Sequence, residues 1–133
     1  MHKILVVEDD TTINQVICEF LKENHYEVTP VFDGAEALRE FEEKPFDLII
    51  LDVMLPSMSG LDVLKEIRKT SQVPVMMLTA LDDEYTQLVS FNHLISDYVT
   101  KPFSPLILMK RIENIIRRRK NLSGPILLID RIK

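Results

Sequence analysis

A few residues of this chain could do chemistry together: the run Glu8-Asp9-Asp10, then Asp52, Thr79 and Lys101. Each follows a short apolar stretch. Carboxylates brought within contact distance repel unless a cation joins them or one takes a proton. A hard divalent ion resolves that conflict, and Mg²⁺ suits one or two carboxylates, several waters and a phosphate. No His or Cys stands beside these residues, which argues against zinc. Next to such an ion, the Asp52 carboxylate can act as a nucleophile and form an aspartyl phosphate. Lys101 would meet phosphate oxygens as a point charge, and Thr79 would donate a hydrogen bond to another. Taken singly, each residue has a plainer role. Asp10 reads best as the cap of a first helix. Thr79 alone could close a turn, and Lys101 alone could be solvated surface. The chemistry depends on convergence.

Convergence requires a fold that brings these stretches to one rim. Ile4–Val7, Leu48–Leu51 and Val75–Leu78 are continuous apolar runs, the pattern of strands buried on both faces in a parallel sheet. Helical patterns lie between them. Ile13, Val16, Ile17, Phe20 and Leu21 form one stripe, with Asn14, Glu19, Lys22 and Glu23 off it. Asp33-Gly34 opens a second helix carrying Ala35, Ala37, Leu38 and Phe41, and Ser59 or Gly60 opens a third with Leu61, Leu64 and Ile67. Asp82 or Asp83 would cap a fourth running to about His93, and Pro105 stands near the first turn of a fifth with Ile112, Ile115 and Ile116 inward.

The alternation βαβαβαβαβα predicts an α/β fold, a doubly wound five-stranded parallel sheet with helices on both faces. Pro30 interrupts Val28–Phe32 and cannot donate to a ladder, so the second strand belongs at an edge. The flavodoxin-like order 2-1-3-4-5 places it there and puts Tyr98–Thr100, read as the shortest strand, at the other edge. In that order the strand ends bearing Glu8–Asp10 and Asp52 flank the switch point, where ligands bind.

Composition sets the outer bounds. Of 133 residues, 46% are apolar and 28% charged, with a formal charge of −5, which fits one ordinary soluble domain. No run is long enough to span a membrane, and no signal peptide opens the chain. Cys18 is the only cysteine, so no disulfide framework or Cys-rich zinc site exists, and a cytoplasmic setting is expected. Three glycines leave no glycine-rich phosphate loop. Residues 1–100 carry 7 Lys/Arg against 19 Asp/Glu, and residues 101–133 carry 9 against 2. The basic end, Arg117-Arg118-Arg119-Lys120, suits the C-terminus of a helix dipole better than a nucleic-acid surface. Ser123-Gly124-Pro125 breaks that helix, and Ile126–Arg131 reads as a further strand.

The stretches ILVVEDD, DLIILDVMLPSMSG, VPVMMLTA and DYVTKPF stand in the order and spacing of a known family. Over residues 2–120 the chain resembles the receiver domain of bacterial two-component response regulators. The resemblance implies Asp52 as phosphoacceptor, with Asp9, Asp52 and the Met54 backbone carbonyl as direct Mg²⁺ ligands and Glu8 acting through a metal-bound water. It implies Thr79 and Tyr98 as the switch pair, Lys101 as the phosphate-binding lysine, and a cis bond at Lys101–Pro102 that aims it. A sensor histidine kinase would be the phosphoryl donor. On this reading the chain catalyses its own Mg²⁺-dependent phosphorylation and dephosphorylation and turns over no small substrate. Met54 and Leu81 match positions flanking the path of hydrolytic water. Both are bulky and apolar, which implies slow autodephosphorylation.

The segment KPFSPLILMKRIENIIRRRK resembles the last helix of OmpR/PhoB-type transcription regulators. Residues 1–120 would then be the receiver, and 121–133 a linker or the start of a C-terminal DNA-binding output domain. Such receivers form homodimers through the fourth helix, fifth strand and fifth helix when phosphorylated. Asp97 and Arg111 match one cross-interface ion pair. Arg118 matches another position, but Ser96 replaces its usual acidic partner. Gln87 and Ile107 replace a charged pair, and Leu94-Ile95 stand where Gly-Ala is usual. The alternative output is a standalone signalling adaptor that binds another protein. A metal-dependent phosphatase is disfavoured, because the Asp-x-Asp of those enzymes would need an acid at Met54.

Overall fold

The computed structural model describes residues 1–80, 89 and 91–122. The strands are β1 (Lys3–Val7), β2 (Glu27–Val31), β3 (Leu48–Asp52), β4 (Val75–Ala80) and β5 (Asp97–Lys101). The helices are α1 (Thr11–Glu23), α2 (Gly34–Glu43), α3 (Gly60–Arg68) and a C-terminal helix (Pro105–Leu122), with a short 3-10 turn at Asn92–Leu94. All neighbouring strands pair in parallel, in the order β2-β1-β3-β4-β5. The expected doubly wound sheet is therefore the observed one. Pro30 sits on the edge strand β2, opposite Val6. The other edge, β5, is five residues long like β1, β2 and β3, so it is not the shortest strand.

Alternation along the strands divides the core in two. Leu5, Val7, Ile49, Leu51, Val75 and Met77 face α3 residues Leu61, Leu64 and Ile67 and α2 residue Ala37. Ile4, Val6, Leu48, Ile50, Met76, Leu78 and Val99 face Ile17 and Leu21 of α1 and Ile112, Ile115 and Ile116 of the C-terminal helix. Full burial of such a side chain stabilises by about 1.5–3 kcal/mol. Layers on both faces leave only the strand ends open, which is where a polar site fits.

Local signals set the helix starts. Asp10 Oδ1 accepts from the Ile13 N–H at 3.0 Å, so its expected capping role is met. Asp33 caps α2 through the Glu36 N–H at 2.8 Å, and Ser59 caps α3 through Leu61 N–H at 3.1 Å. Pro105 opens the C-terminal helix. Two stripes need correction. In α1, Val16 is exposed while Asn14 and Cys18 are buried beside Ile17 and Leu21. The inward face is rotated toward Asn14, because hydrogen bonding there offsets the burial of an amide. In α2, Ala35 is exposed, while Ala37 is buried and Leu38 and Phe41 pack, partly buried, against the core. The expected helix from Asp82 or Asp83 falls largely outside the described residues, as do Leu81, Gln87 and the strand expected at Ile126–Arg131.

Candidate functional site

The strand alternation that divides the core also sorts the rim. Glu8 follows β1 in phase with Ile4 and Val6. Asp52 ends β3 in phase with Leu48 and Ile50, and Lys101 ends β5 in phase with Val99. All three emerge on the side of α1 and the C-terminal helix, and they meet. Lys101 Nζ lies 2.8 Å from Asp52 Oδ2 and 2.8 Å from Glu8 Oε1. Glu8 and Asp52 are buried, at 0% and 1% exposure. Asp9, on the same loop, stays exposed.

One ammonium does not balance three acids. Burial, then the hydrogen-bonding contact with Asp52, pushes the Glu8 carboxyl above its usual range. Partial burial and the neighbouring Glu8 push Asp9 the same way. Burial disfavours the charge on Lys101, but the bonds to Asp52 and Glu8 outweigh it and hold its pKa above normal. Apart from the ion pair with Lys101, Glu8 Oε1 has no hydrogen-bond partner among the described residues. Ligand atoms of Glu8, Asp9 and Asp52 lie within 4.8 Å of one another. An all-oxygen set of this size and charge fits a hard divalent ion such as Mg²⁺.

The loop after β3 brings main-chain groups to the same place. The Met54 N–H points to Asp52 Oδ1 at 3.4 Å, and the Met54 side chain is 61% exposed at the rim. Thr79 is in the opposite phase of its strand, with Met77, and is fully buried. Its hydroxyl donates to the carbonyl of Ala80, the last residue of β4, at 3.1 Å. Tyr98 shares that phase and packs, partly buried, against the α2–α3 core. Thr79 and Tyr98 thus lie on one face, and the acid–lysine cluster on the other. The Lys101–Pro102 bond is cis, as the resemblance implies.

The residues expected at a dimer surface lie away from this rim, Asp97 starting the strand that Lys101 ends. Asp97 and Arg111 pair within this chain, Arg111 Nη1 lying 2.9 Å from Asp97 Oδ2. Arg118 is exposed further along the same helix, and Ile107 is exposed near its start. The Ser96 hydroxyl oxygen accepts from the Val75 N–H at 3.3 Å, so this serine braces the start of β4.

Gly60 enters the site by a route that its place at a helix start does not reveal. A Cβ there would stand 1.9 Å from the Asp52 carbonyl oxygen. The Gly60 N–H donates to the Val53 carbonyl at 2.8 Å. The N-terminus of α3 is therefore braced against the backbone carrying Asp52.

Known proteins are similar to this chain in sequence and in fold. The response regulator receiver domain matches residues 4–113. The uncharacterized transcriptional regulatory protein YclJ of Bacillus subtilis is 48% identical over 118 residues, 89% of this chain and 52% of that protein. Regulatory protein VanRB of Enterococcus faecalis is 46% identical over 116 residues, 87% of this chain and 53% of that protein. The chain spans about half the length of these curated relatives. The solved receiver domain of the Francisella response regulator 1452 has a TM-score of 0.82 at 36% identity, over 90% of this chain and 99% of that one. The response regulator TrrA of Thermotoga maritima, solved in complex with Mg²⁺–BeF, has a TM-score of 0.78 at 35% identity, over 86% and 99%. Sequence and architecture agree over most of the chain, and this chain belongs to the response regulator receiver domains of two-component systems.

Proposed function

We propose that Asp52 accepts a phosphoryl group from the phosphohistidine of a sensor kinase. The observation that carries this reading is a buried Asp52 carboxylate held 2.8 Å from the Lys101 ammonium, with two further acids alongside. An Asp52 oxygen attacks phosphorus, the new P–O bond forms as the P–N bond breaks, and the imidazole leaves with the bonding pair. Mg²⁺ held by Asp9, Asp52 and the Met54 carbonyl, with Glu8 through water, would neutralise the charge between carboxylate and phosphoryl oxygens. Lys101 transfers its contact from Asp52 to a phosphoryl oxygen. The Thr79 hydroxyl leaves the Ala80 carbonyl for another, and Tyr98 turns inward behind it. Differential contacts of this kind bias a two-state equilibrium.

The output reading draws on the curated relatives. Residues 1–120 act as the receiver, and 121–133 lead into a DNA-binding output domain that controls transcription. Phosphorylation favours a homodimer through the fourth helix, β5 and the C-terminal helix. There the Asp97–Arg111 pair exchanges its in-chain contact for a cross-interface one, and Arg118 lies on the same face. A cytoplasmic setting goes with this reading. Among the described residues no helix is long and apolar enough to cross a membrane. A small phosphodonor with Mg²⁺, read by intact mass and by size exclusion, tests both steps. Mass gain with a shift to dimer is the expected result. Mass gain without dimer would remove the proposed interface, and no mass gain would remove the phosphoacceptor.

Crowded acids should also show in stability. The raised Glu8 and Asp9 carboxyls keep protons that the unfolded chain has released, so their charge costs stability as pH rises through and above the usual carboxylate range. In chelator at neutral pH, Asp9→Asn is expected to melt slightly above the wild type, a small gap because Asp9 is exposed and screened, narrowing as pH falls. Saturating Mg²⁺ should reverse the order, because only the wild type gains the ion's binding energy. Thermal melts across pH check this, and a wild type indifferent to Mg²⁺ would contradict the metal assignment.

The phosphoryl lifetime should be long. Met54 overhangs the rim without a polar group, and Leu81 matches the second position flanking the water path. Replacing both with Asn or Glu is expected to speed dephosphorylation by about tenfold, short of the full effect of a positioned acid–base group. Decay of the phosphoprotein followed by mass checks it, and an unchanged lifetime would contradict this role for the two side chains.

A further inference from the structure

Asn14 is a buried polar side chain to which the phosphoryl chemistry assigns no work. It lies in the first turn of α1 at 1% exposure, behind the acid loop. Its Nδ2 donates to two carbonyl oxygens, Glu8 at 3.0 Å and Val31 at 3.0 Å. Its Oδ1 accepts from the Cys18 Sγ at 3.2 Å. These three bonds select one orientation of the amide. Turned over, the oxygen would face two carbonyls. The Glu8 N–H also donates to the Val31 carbonyl, at 3.2 Å, so Glu8 is tied to the end of β2 directly by its N–H, while its C=O is joined to the same Val31 carbonyl only through the Asn14 amide. Downstream, the Asn14 N–H donates to the Asp10 carbonyl at 2.9 Å, and the Asp10 N–H donates to Glu8 Oε2 at 3.1 Å. The loop carrying Glu8 and Asp9 is thus pinned at both ends, and Asn14 makes a bond at each.

We infer that Asn14 is a positioning residue for the divalent-cation site, acting through the Glu8 main chain, and that Cys18 acts through Asn14 by fixing its amide. The inference rests on reading Glu8, Asp9 and Asp52 as that site. The Glu8 carbonyl lies just past the last paired residue of β1, where Val7 meets Val31 and Leu51. No further strand pairing covers it, and the Asn14 amide does. Without that donor, a buried carbonyl turns toward water. The peptide it belongs to joins Glu8 to Asp9, so both acids turn with it. A cluster whose ligand atoms lie within 4.8 Å does not absorb such a rotation. Groups that orient metal ligands are typically worth about 10–100-fold in metal affinity. Cys18 alone carries no chemistry here. Its thiol matters because it occupies the one amide atom that must not face the carbonyls.

The test uses the chain as it stands and Mg²⁺ alone, titrated by calorimetry, with melts in chelator and in saturating Mg²⁺. Asn14→Leu is expected to weaken Mg²⁺ binding about tenfold or more and to shrink the Mg²⁺-induced rise in melting temperature. Cys18→Val should weaken binding in the same direction but less. Cys18→Ser keeps a donor to Oδ1 and should restore wild-type affinity. A merely structural clamp would lower the melting temperature equally with and without metal and leave Mg²⁺ affinity unchanged in both weakening variants. That result overturns the inference. Should Asn14→Leu fail to fold, the Cys18→Val and Cys18→Ser pair decides it on the same readout. A wild type that binds no Mg²⁺ and takes no phosphoryl group overturns the receiver chemistry and the inference together. A wild type that does both, with variants that match it, overturns only the role of Asn14.

Discussion

Asp52→Asn is expected to lose phosphoryl uptake altogether while keeping the fold. The amide has nearly the carboxylate's shape, so the 1%-exposed position at the end of β3 stays filled. What disappears is the nucleophilic oxygen, whose lone pair must form the P–O bond. The contact with Lys101 at 2.8 Å loses its charge partner on this side, but Glu8 still holds the ammonium at 2.8 Å. The acid cluster also becomes less crowded, so melting in chelator should not fall and should rise if self-repulsion dominates. Intact mass after incubation with a small phosphodonor and Mg²⁺ gives the answer directly. A mass gain that survives the substitution would place the acceptor on another residue. A variant that unfolds would show that the Asp52 charge braces the fold, contrary to its crowded surroundings.

Much of that site was legible in the sequence because its chemistry sits at strand ends. Apolar runs identify β1, β3 and β4, and Pro30 fixes an edge. Strand order then forces Glu8, Asp52 and Lys101 to a common rim. The split between Asp52 and Thr79 was available too. Counting by twos from Leu48 and from Val75 puts them on opposite faces.

Asn14 stayed hidden for a different reason. Its spacing to Ile17, Cys18 and Leu21 is the i, i+3, i+4, i+7 of a buried stripe. An amide in that stripe scores as surface unless its partners are known, and the Glu8 and Val31 carbonyls are contributed by two other elements. Val16 was misplaced by the same one-step rotation. The in-chain Asp97–Arg111 pair could not be foreseen from spacing, because it joins a strand to a helix 14 residues away.

Gly60→Ala should be the more damaging of the two alanine substitutions at the described glycines. The added Cβ would meet the Asp52 carbonyl oxygen at 1.9 Å, the Asp52 carbonyl carbon at 2.9 Å and the Val53 Cα at 3.1 Å. All three are backbone atoms, so no side chain can swing aside. Relief requires α3 to lift from the end of β3, and two bonds resist that. The Gly60 N–H and the Ser59 hydroxyl both donate to the Val53 carbonyl, at 2.8 and 3.3 Å. The cost should reach about 3 kcal/mol, the upper range for overpacking, or roughly ten degrees in melting temperature for a domain of this size. Gly34→Ala is the informative control. Its Cβ would approach Met58 Cγ at 2.6 Å and Val63 Cγ2 at 2.8 Å, both side-chain atoms, one on a flexible methionine. That variant should lose clearly less. Gly60→Ala should also slow phosphoryl uptake at temperatures where it remains folded, because the displaced backbone carries the nucleophile. Equal melting temperatures for the two variants would mean that α3 yields freely at its N-terminus. The position of Asp52 would then be set by β3 and Lys101 alone.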